Sequence, residues 1–126
     1  MDPVYLTALA SRHAEWLTVR QTLVAENIAN ANTPGFAARD IEPFASVFNQ
    51  TRLAMTATHA DHLGAGMAPP EPSEVEKDET WSVTESGNTV SMEQELMKAG
   101  EINRDHALNA GIVKAFHRMY LASLKG

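Results

Sequence analysis

The chain has 126 residues, a formal net charge of −6, 6% aromatic residues and no cysteine. This length suits one domain, and we expect a single domain over residues 1–126 with a modest core. An acidic chain without a basic cluster is a poor partner for nucleic acid, and the lack of cysteine excludes disulfides, thiolate metal sites and a cysteine nucleophile. No stretch approaches the roughly 20 apolar residues of a membrane helix, and the start has no signal-peptide pattern.

The first predicted element is a helix over residues 3–32. Asp2 followed by Pro3 is typical of a helix start, and Pro34 cannot continue the helical hydrogen bonds. Such a helix would be roughly 45 Å long, which exceeds the diameter of so small a compact domain. Apolar residues recur along it at helical spacing, and we expect these to pack: Leu9, Trp16, Leu23, Val24 and Ile28.

An irregular middle is predicted over residues 33–90. Ile41, Phe44, Val47 and Phe48 indicate a short amphipathic turn or helix. Residues 64–78 are rich in glycine, proline and acidic groups, so we expect a mobile, partly disordered linker. The β-prone residues on both sides of residues 85–88 predict a small β-hairpin.

The second predicted helix covers residues 91–124, and Ser91 with Gln94 fits a capping box at its start. Met92, Leu96, Ala99 and Ile102 continue its apolar positions toward that start. The two helices are expected to pair antiparallel, which gives an all-α fold with a coiled-coil-like core. The residues of the second helix expected to pack are Leu108, Ile112, Phe116 and Met119.

Both apolar stripes also contain polar residues where an isolated helix pair would prefer leucine or valine. Arg20 and Asn27 are the examples in the first helix, and Asn103 and His106 those in the second. We interpret them as signs of imperfect seams that other subunits complete.

The end of the first helix carries the most specific motif. Asparagine side chains crowd the helix end, Gly35 permits a positive φ, and Phe36 can fold back on the helix. This ten-residue string resembles the signature of the bacterial flagellar axial proteins, the family of rod, hook and hook-associated subunits. Its key positions are Asn27, Ala29, Asn30, Thr33, Pro34, Gly35 and Phe36.

Two further segments resemble the proximal rod members of that family. They are residues 58–63 and residues 87–95, the latter reading Gly-Asn-Thr-Val-Ser-Met-Glu-Gln-Glu. The resemblance implies a structural subunit of the basal-body rod that transmits torque and helps to form the export channel. It also implies a periplasmic location, export without a cleaved signal peptide, and no enzyme activity.

The resemblance implies particular neighbours as well. These are further copies of the chain, the related rod protein FlgC, the adapter FliE and the membrane-embedded export gate. No cofactor, small-molecule substrate or membrane insertion is expected. Within the family, FlgC is itself the alternative identity, although it shares the exit signature without the Gly-Asn-Thr-Val-Ser-Met-Glu match.

Other classes of function have weaker support. His59 and His62 flank Asp61, but a closed metal site needs more ligands than the sequence supplies. The carboxylates of residues 71–79 lie in the predicted linker rather than in a pocket that could raise a pKa, which disfavours acid–base catalysis. A small two-helix export chaperone or adaptor stays open, and it should be stable alone and bind one client.

Overall fold

In the computed structural model, the described residues are 3–46, 75–77 and 83–126. Helix α1 spans Pro3–Ala29 and helix α2 spans Met92–Lys125. Strand β1, Arg39–Ile41, pairs antiparallel with strand β2, Val75–Lys77. The predicted mainly helical fold with two long terminal helices is thus confirmed.

The two helices run antiparallel along each other. The carbonyl oxygen of Ala10 accepts a hydrogen bond from Asn109, and farther along α1 Arg20 pairs with Glu101. As the residue number increases along α1, the number of the residue that it contacts in α2 therefore decreases. Continued to Pro3, this register leaves about two turns of α2 beyond the start of α1.

A narrow apolar core lies between the helices. Leu17, Val24 and Ile102 are buried, with exposed fractions of 0%, 5% and 1%, and Trp16, Ile28 and Ala99 pack against them. The core occupies the middle of the helix pair. Toward the end of α2 the apolar residues are largely exposed.

Helix α1 ends three residues before its predicted limit. The amide of Ala31 donates to Ile28, and that of Thr33 donates to Asn30, so these bonds span three residues instead of four. The last turn is therefore tightened, as is common where a helix ends. At the other helix, Ser91 takes the predicted N-cap position, and its hydroxyl accepts from the amide of Gln94.

The middle segment differs from its prediction at two points. Ile41 belongs to a strand, whereas residues 44–46 are helical. Residues 75–77, expected in a mobile linker, form β2 instead, with Asp40 opposite Glu76 and Ile41 opposite Val75. Pairing with β1 satisfies backbone groups in a way that composition cannot reveal.

The predicted hairpin is present as a turn. The amide of Gly87 donates to the carbonyl of Thr84, and the amide of Thr84 donates to the carbonyl of Asn88. With Gly87 at φ +79°, this is the bonding of a three-residue hairpin loop that ends in a left-handed glycine. Trp81 and Ser82, at the start of the predicted hairpin, lie outside the described residues, as do Val47, Phe48, His59, Asp61 and His62.

Candidate assembly interface

The exit turn of α1 and the turn before α2 are joined by backbone hydrogen bonds. The amide of Gly35 donates to the carbonyl of Ser86 at 2.8 Å, and that of Thr89 donates to the carbonyl of Phe36 at 3.0 Å. Gly35 has φ +72°, so its predicted positive φ is confirmed. A Cβ added to Gly87 would lie 3.7 Å from the Cα of Gly35, so the two turns are in close contact.

Asn88 holds this junction with its side chain. Its Nδ2 donates to the carbonyls of Asn30 and Thr33, and its Oδ1 accepts from the amide of Val90. The residue is only 1% exposed, and its amide makes three hydrogen bonds. Because these bonds replace water at carbonyls just past the helix end, Asn88 acts as an external cap for α1.

Asn27 performs a similar task one turn earlier. Its Oδ1 accepts from the amide of Arg39, and its Nδ2 donates to the Arg39 carbonyl and to the Glu95 carboxylate. One side chain thus contacts α1, β1 and α2 together. Since both backbone groups of Arg39 are bound, the chain leaves the exit turn in an extended conformation.

A network of charged side chains continues from this point along the helix pair. Glu95, 0% exposed, pairs with Lys98 at 3.0 Å, and the Lys98 ammonium lies 3.9 Å from Asp40. Asp40 accepts two hydrogen bonds from Arg20, which also pairs with Glu101. The Asp40 side chain of β1 is therefore held by Arg20 of α1 and by Lys98 of α2.

The network raises the pKa of Arg20. Burial lowers the pKa of its guanidinium, but hydrogen bonds and negative charge from Asp40 and Glu101 outweigh burial and raise the pKa above the ordinary value. The guanidinium also lies 5.6 Å from the ring centre of Trp16, within cation–π range. Arg20 is therefore a permanently charged link between α1, β1 and α2.

A group of aromatic side chains, His13, Trp16 and Phe44, forms a further contact between α1 and the middle segment. Trp16 donates its Nε1 hydrogen to the carbonyl of Glu42 at 2.8 Å and meets Phe44 edge-on at 5.9 Å. His13 lies 4.7 Å from Phe44. These contacts attach residues 42–44 to α1, so Trp16 holds the middle segment as well as packing against the core.

The exit-turn residues of the motif have different environments. Asn27 is buried, Asn30 and Phe36 are half-buried, and Ala29, Thr33, Pro34 and Gly35 are exposed. Asn30 donates to the Glu26 carbonyl at 2.9 Å, as expected for an amide at a helix end, and accepts from the Thr33 hydroxyl. Asn27 therefore faces the interior of the subunit, whereas the tip of the turn is exposed.

The residues predicted to pack divide between interior and surface. In α1, Leu23 and Val24 are buried, and Leu9, Trp16 and Ile28 are half-buried. In α2, Phe116 is half-buried, but the other three are exposed, with fractions of 62%, 46% and 61% for Leu108, Ile112 and Met119. Their role in packing stays a prediction that concerns contacts outside the subunit.

A groove lies between the start of α1 and the end of α2. Its volume is about 610 Å³, and α1 and α2 each supply four of its lining residues. Phe116 belongs to this lining and thus faces α1, whereas Leu108 and Met119 do not line it. The residues that line it are Leu6, Thr7, Ala8, Ser11, Val113, Phe116, His117 and Tyr120.

Two sequence interpretations require correction. Arg20 and Asn27 find their partners within the chain, so they do not mark seams left for other subunits. Met92 and Leu96 are exposed, with fractions of 46% and 61%, rather than facing α1. The buried residues there are Gln94, Glu95 and Lys98, which apolar periodicity could not detect because they are polar.

Asn88 and Asp40 were also missed as structural residues. Asn88 was assigned only to a surface turn, where asparagine is common, and nothing local indicates that its amide reaches two carbonyls more than 50 residues away. The signal for the charge network was present but was not used. Glu95, Lys98 and Ile102 are spaced three and four residues apart, which places them on one face of α2.

Among residues 3–46, 75–77 and 83–126, no group of three histidine, cysteine, aspartate or glutamate side chains could hold a metal ion. Neither long helix in the described part of the chain is apolar enough to cross a membrane.

Comparison with known proteins agrees with this architecture. The sequence model of a family described as Flagella basal body rod protein matches residues 17–36, which cover the second half of α1 and the exit turn. The flagellar basal body rod protein FlgB of Agrobacterium fabrum is 45% identical over 135 aligned positions, covering 99% of this chain and 96% of that protein.

Two other relatives have the same printed name. FlgB of Escherichia coli K12 is 36% identical over 85 positions, covering 60% of this chain and 61% of the relative. FlgB of Cereibacter sphaeroides is 37% identical over 93 positions, covering 71% and 72%.

Two long helices, a polar junction between their turns and a large exposed apolar face define a structural subunit made for assembly. The chain belongs to the family of flagellar basal body rod proteins. It is a structural subunit of the rod and assembles with other rod components, and its relatives favour FlgB over FlgC.

Proposed function

We propose that the chain forms part of the proximal rod, where it transmits torque and contributes to the wall of the export channel. The observation that carries this proposal is the exposed apolar face of α2, which includes Leu108, Ile112 and Met119. Apolar side chains in a continuous row on the surface of a helix are typical of an interaction site, so a neighbouring subunit is expected to cover them.

The proposed mechanism is mechanical, and we propose no catalytic activity. Charged and amide side chains connect α1, β1 and α2 at Asn27, Arg20 and Asp40, so a force applied to one helix reaches the other through several bonds. Buried polar connections of this kind specify one relative arrangement of helices even where they add little stability. A stiff subunit suits a shaft that must turn as one body.

The proposed unit of assembly is one domain over residues 1–126. Within it, Asn27, Asn30 and Gly35 shape the exit turn, and Leu17, Val24 and Ile102 hold the helix pair. The proposed packing residues of α2 then divide their tasks, with Phe116 facing α1 and the exposed apolar residues meeting neighbouring subunits.

The proposed neighbours are further copies of the chain, FlgC, the adapter FliE and the export gate. The proposed location is the periplasmic part of the basal body, reached by export without a cleaved signal peptide. Support for these assignments comes from the family membership and from the proximal-rod resemblance of residues 58–63 and 87–95.

Deletion of the gene from the bacterium that encodes the chain tests the proposal. We expect cells without rods or filaments but with an intact membrane ring, seen by electron microscopy of basal bodies, and recovery with the wild-type gene. Complete basal bodies and normal swimming in the deletion strain would refute the proposed role. Cross-linking of the restored protein in cells, followed by mass spectrometry, identifies whether FliE and FlgC are its neighbours.

A further inference from the structure

Helix α2 presents two apolar series on different sides. One contains Ile102, Val113 and Phe116 and lies against the core or the groove shared with α1. The other, here called the outer seam, is spaced by four and three residues in alternation and lies roughly a third of a turn away around the helix. The outer seam consists of Leu108, Ile112, Ala115, Met119 and Ala122.

The outer seam has the spacing of a helix-packing surface. Alternating steps of four and three residues keep side chains on one line along a helix, as in a coiled coil. Its large side chains are exposed by 62%, 46% and 61% at Leu108, Ile112 and Met119. No residue in the described part of the chain covers them.

Helix α1 carries a complementary surface on the side opposite its core. A second series with the same four and three spacing, here called the small-residue stripe, is exposed throughout. Its length from first to last member is roughly 21 Å, the same as that of the outer seam. The small-residue stripe, in which only Glu15 has a long side chain, consists of Glu15, Thr18, Thr22, Ala25 and Ala29.

The hydroxyl groups of the stripe do not oppose burial. The hydroxyl of Thr18 donates to the carbonyl of Ala14 at 2.9 Å, and the hydroxyl of Thr22 donates to the carbonyl of Thr18 at 3.1 Å. Both polar groups are therefore satisfied within α1. Covering them with an apolar side chain leaves no lost hydrogen bond, and small side chains allow another helix to approach closely.

Charge decides which surface meets the outer seam. Residues 104–125 contain four basic side chains and one acidic side chain, which gives this segment a net charge of +3. Because the whole chain has a net charge of −6, the other residues together carry −9. Two outer seams facing each other would bring like charges together. The exposed charged residues of α1 with described side chains are Glu15 and Glu26, both acidic.

We propose that the outer seam of α2 packs on the small-residue stripe of α1 in a second copy of the chain. This inference rests on the proposed rod function and names one of its subunit contacts. The two surfaces are different, so the contact is head-to-tail, and it forms a closed ring or an open helical array depending on the rotation between copies. A rod requires the open array.

Cysteine cross-linking between full-length chains tests this contact, because the chain has no cysteine of its own. One copy carries Leu108→Cys or Met119→Cys, and a differently tagged copy carries Thr18→Cys, Thr22→Cys or Ala25→Cys. The control replaces the seam cysteine by Asn103→Cys, which is also exposed but lies about 140° around α2 from Leu108. Both tagged copies are expressed together in cells that assemble flagella.

We expect a seam cysteine to join a stripe cysteine of the other copy with at least a tenfold higher yield than Asn103→Cys. Circular dichroism of each purified variant should match the parent, since the altered residues are exposed. Cross-links between two seam cysteines, to another rod protein, or with equal yield for the control would overturn the inference.

The same strains separate this inference from the proposed function. Intact basal bodies and swimming without a seam-to-stripe cross-link would refute the contact and leave the rod function standing. Complete basal bodies in the strain that lacks the gene would refute the rod function itself.

Discussion

The side-chain amide of Asn88 donates to the carbonyl oxygen of Thr33 across 2.7 Å, although the two residues are 55 positions apart in the chain. The same nitrogen reaches Asn30, and the Asn88 oxygen accepts from Val90. A single buried amide therefore fixes how the chain leaves α1 and how it enters α2.

Replacement of Asn88 by alanine should destabilise the subunit strongly. It removes three hydrogen bonds and leaves the Val90 amide without its acceptor, whereas the carbonyls of Asn30 and Thr33 each keep one backbone donor. We expect the free energy of unfolding to fall by about 2–4 kcal/mol. Urea unfolding followed by circular dichroism measures the change. Asn32→Ala, in the same turn but exposed, should change it by less than about 0.5 kcal/mol.

The left-handed conformation of Gly35 gives a second prediction. A Cβ at this position would meet nothing within 4 Å, so the cost of Gly35→Val comes from the backbone and not from a clash. We expect a loss of about 1–3 kcal/mol in the free energy of unfolding and impaired swimming.

Gly35→Asn should recover part of that loss, because asparagine tolerates the left-handed region better than valine. Gly100→Ala is the matched control, since it adds a methyl group to a helical glycine with open space around it. It should stabilise the chain by about 0.5–1 kcal/mol. Equal stability of the Gly35→Val and wild-type chains would show that the turn does not need a positive φ.

The ion pairs of Arg20 and of Arg39 should differ in their contribution to the free energy of unfolding. Arg20 is mostly buried between Asp40 and Glu101, and its removal leaves Glu101 without its cation and Asp40 with only Lys98 at 3.9 Å. Arg20→Met should cost about 2–4 kcal/mol. Arg39→Ala removes an exposed pair with Glu26 and should cost at most about 1 kcal/mol.

The contribution of Arg20 should not vary with pH between neutral and moderately alkaline solution. A group whose pKa is raised by folding stabilises the fold fully below its unfolded pKa and loses that effect only as pH rises through the folded pKa. For arginine both values lie in strongly alkaline solution. The difference in unfolding free energy between wild type and Arg20→Met should therefore be equal at pH 7 and pH 10, and a fall by half would contradict this.

Two apolar truncations on α2 should affect different properties, one the stability of the fold and the other the assembly of the rod. Ile102→Ala empties space in the core, where Ile102 is 1% exposed, and should cost about 2–4 kcal/mol. Leu108→Ala, at 62% exposure, should change the unfolding free energy by less than about 0.5 kcal/mol but reduce rod assembly. Unfolding curves measure the first effect, and counts of basal bodies measure the second. Normal basal-body numbers with Leu108→Ala would show that this side chain has no essential neighbour.

Local signals in the sequence were sufficient for the two helices and, to within three residues, for their limits. Pro34 and Gly35 indicated the exit turn, and Ser91 indicated the start of α2 at the position where the hydroxyl caps the helix. Apolar spacing located Leu23 and Val24 in the core. These features depend on contacts within a few residues of each other, so periodicity and capping preferences describe them.

The same patterns could not separate the two sides of α2. Phe116 and Met119 are three residues apart and belong to one broad apolar face, yet one lies in the groove with α1 and the other is exposed. The position of α1 makes this division, and no property of α2 alone contains it.

By itself, the sequence determined the two helices to within three residues at their ends, the positive φ of Gly35 and the family signature. Only the tertiary structure decided that Asn27, Asn88, Glu95 and Lys98 are interior residues and that Val75–Lys77 pairs with β1. The physical reason is that a buried polar side chain, like a backbone strand, needs a partner within hydrogen-bond distance. Those partners are distant in sequence, so folding alone brings them together.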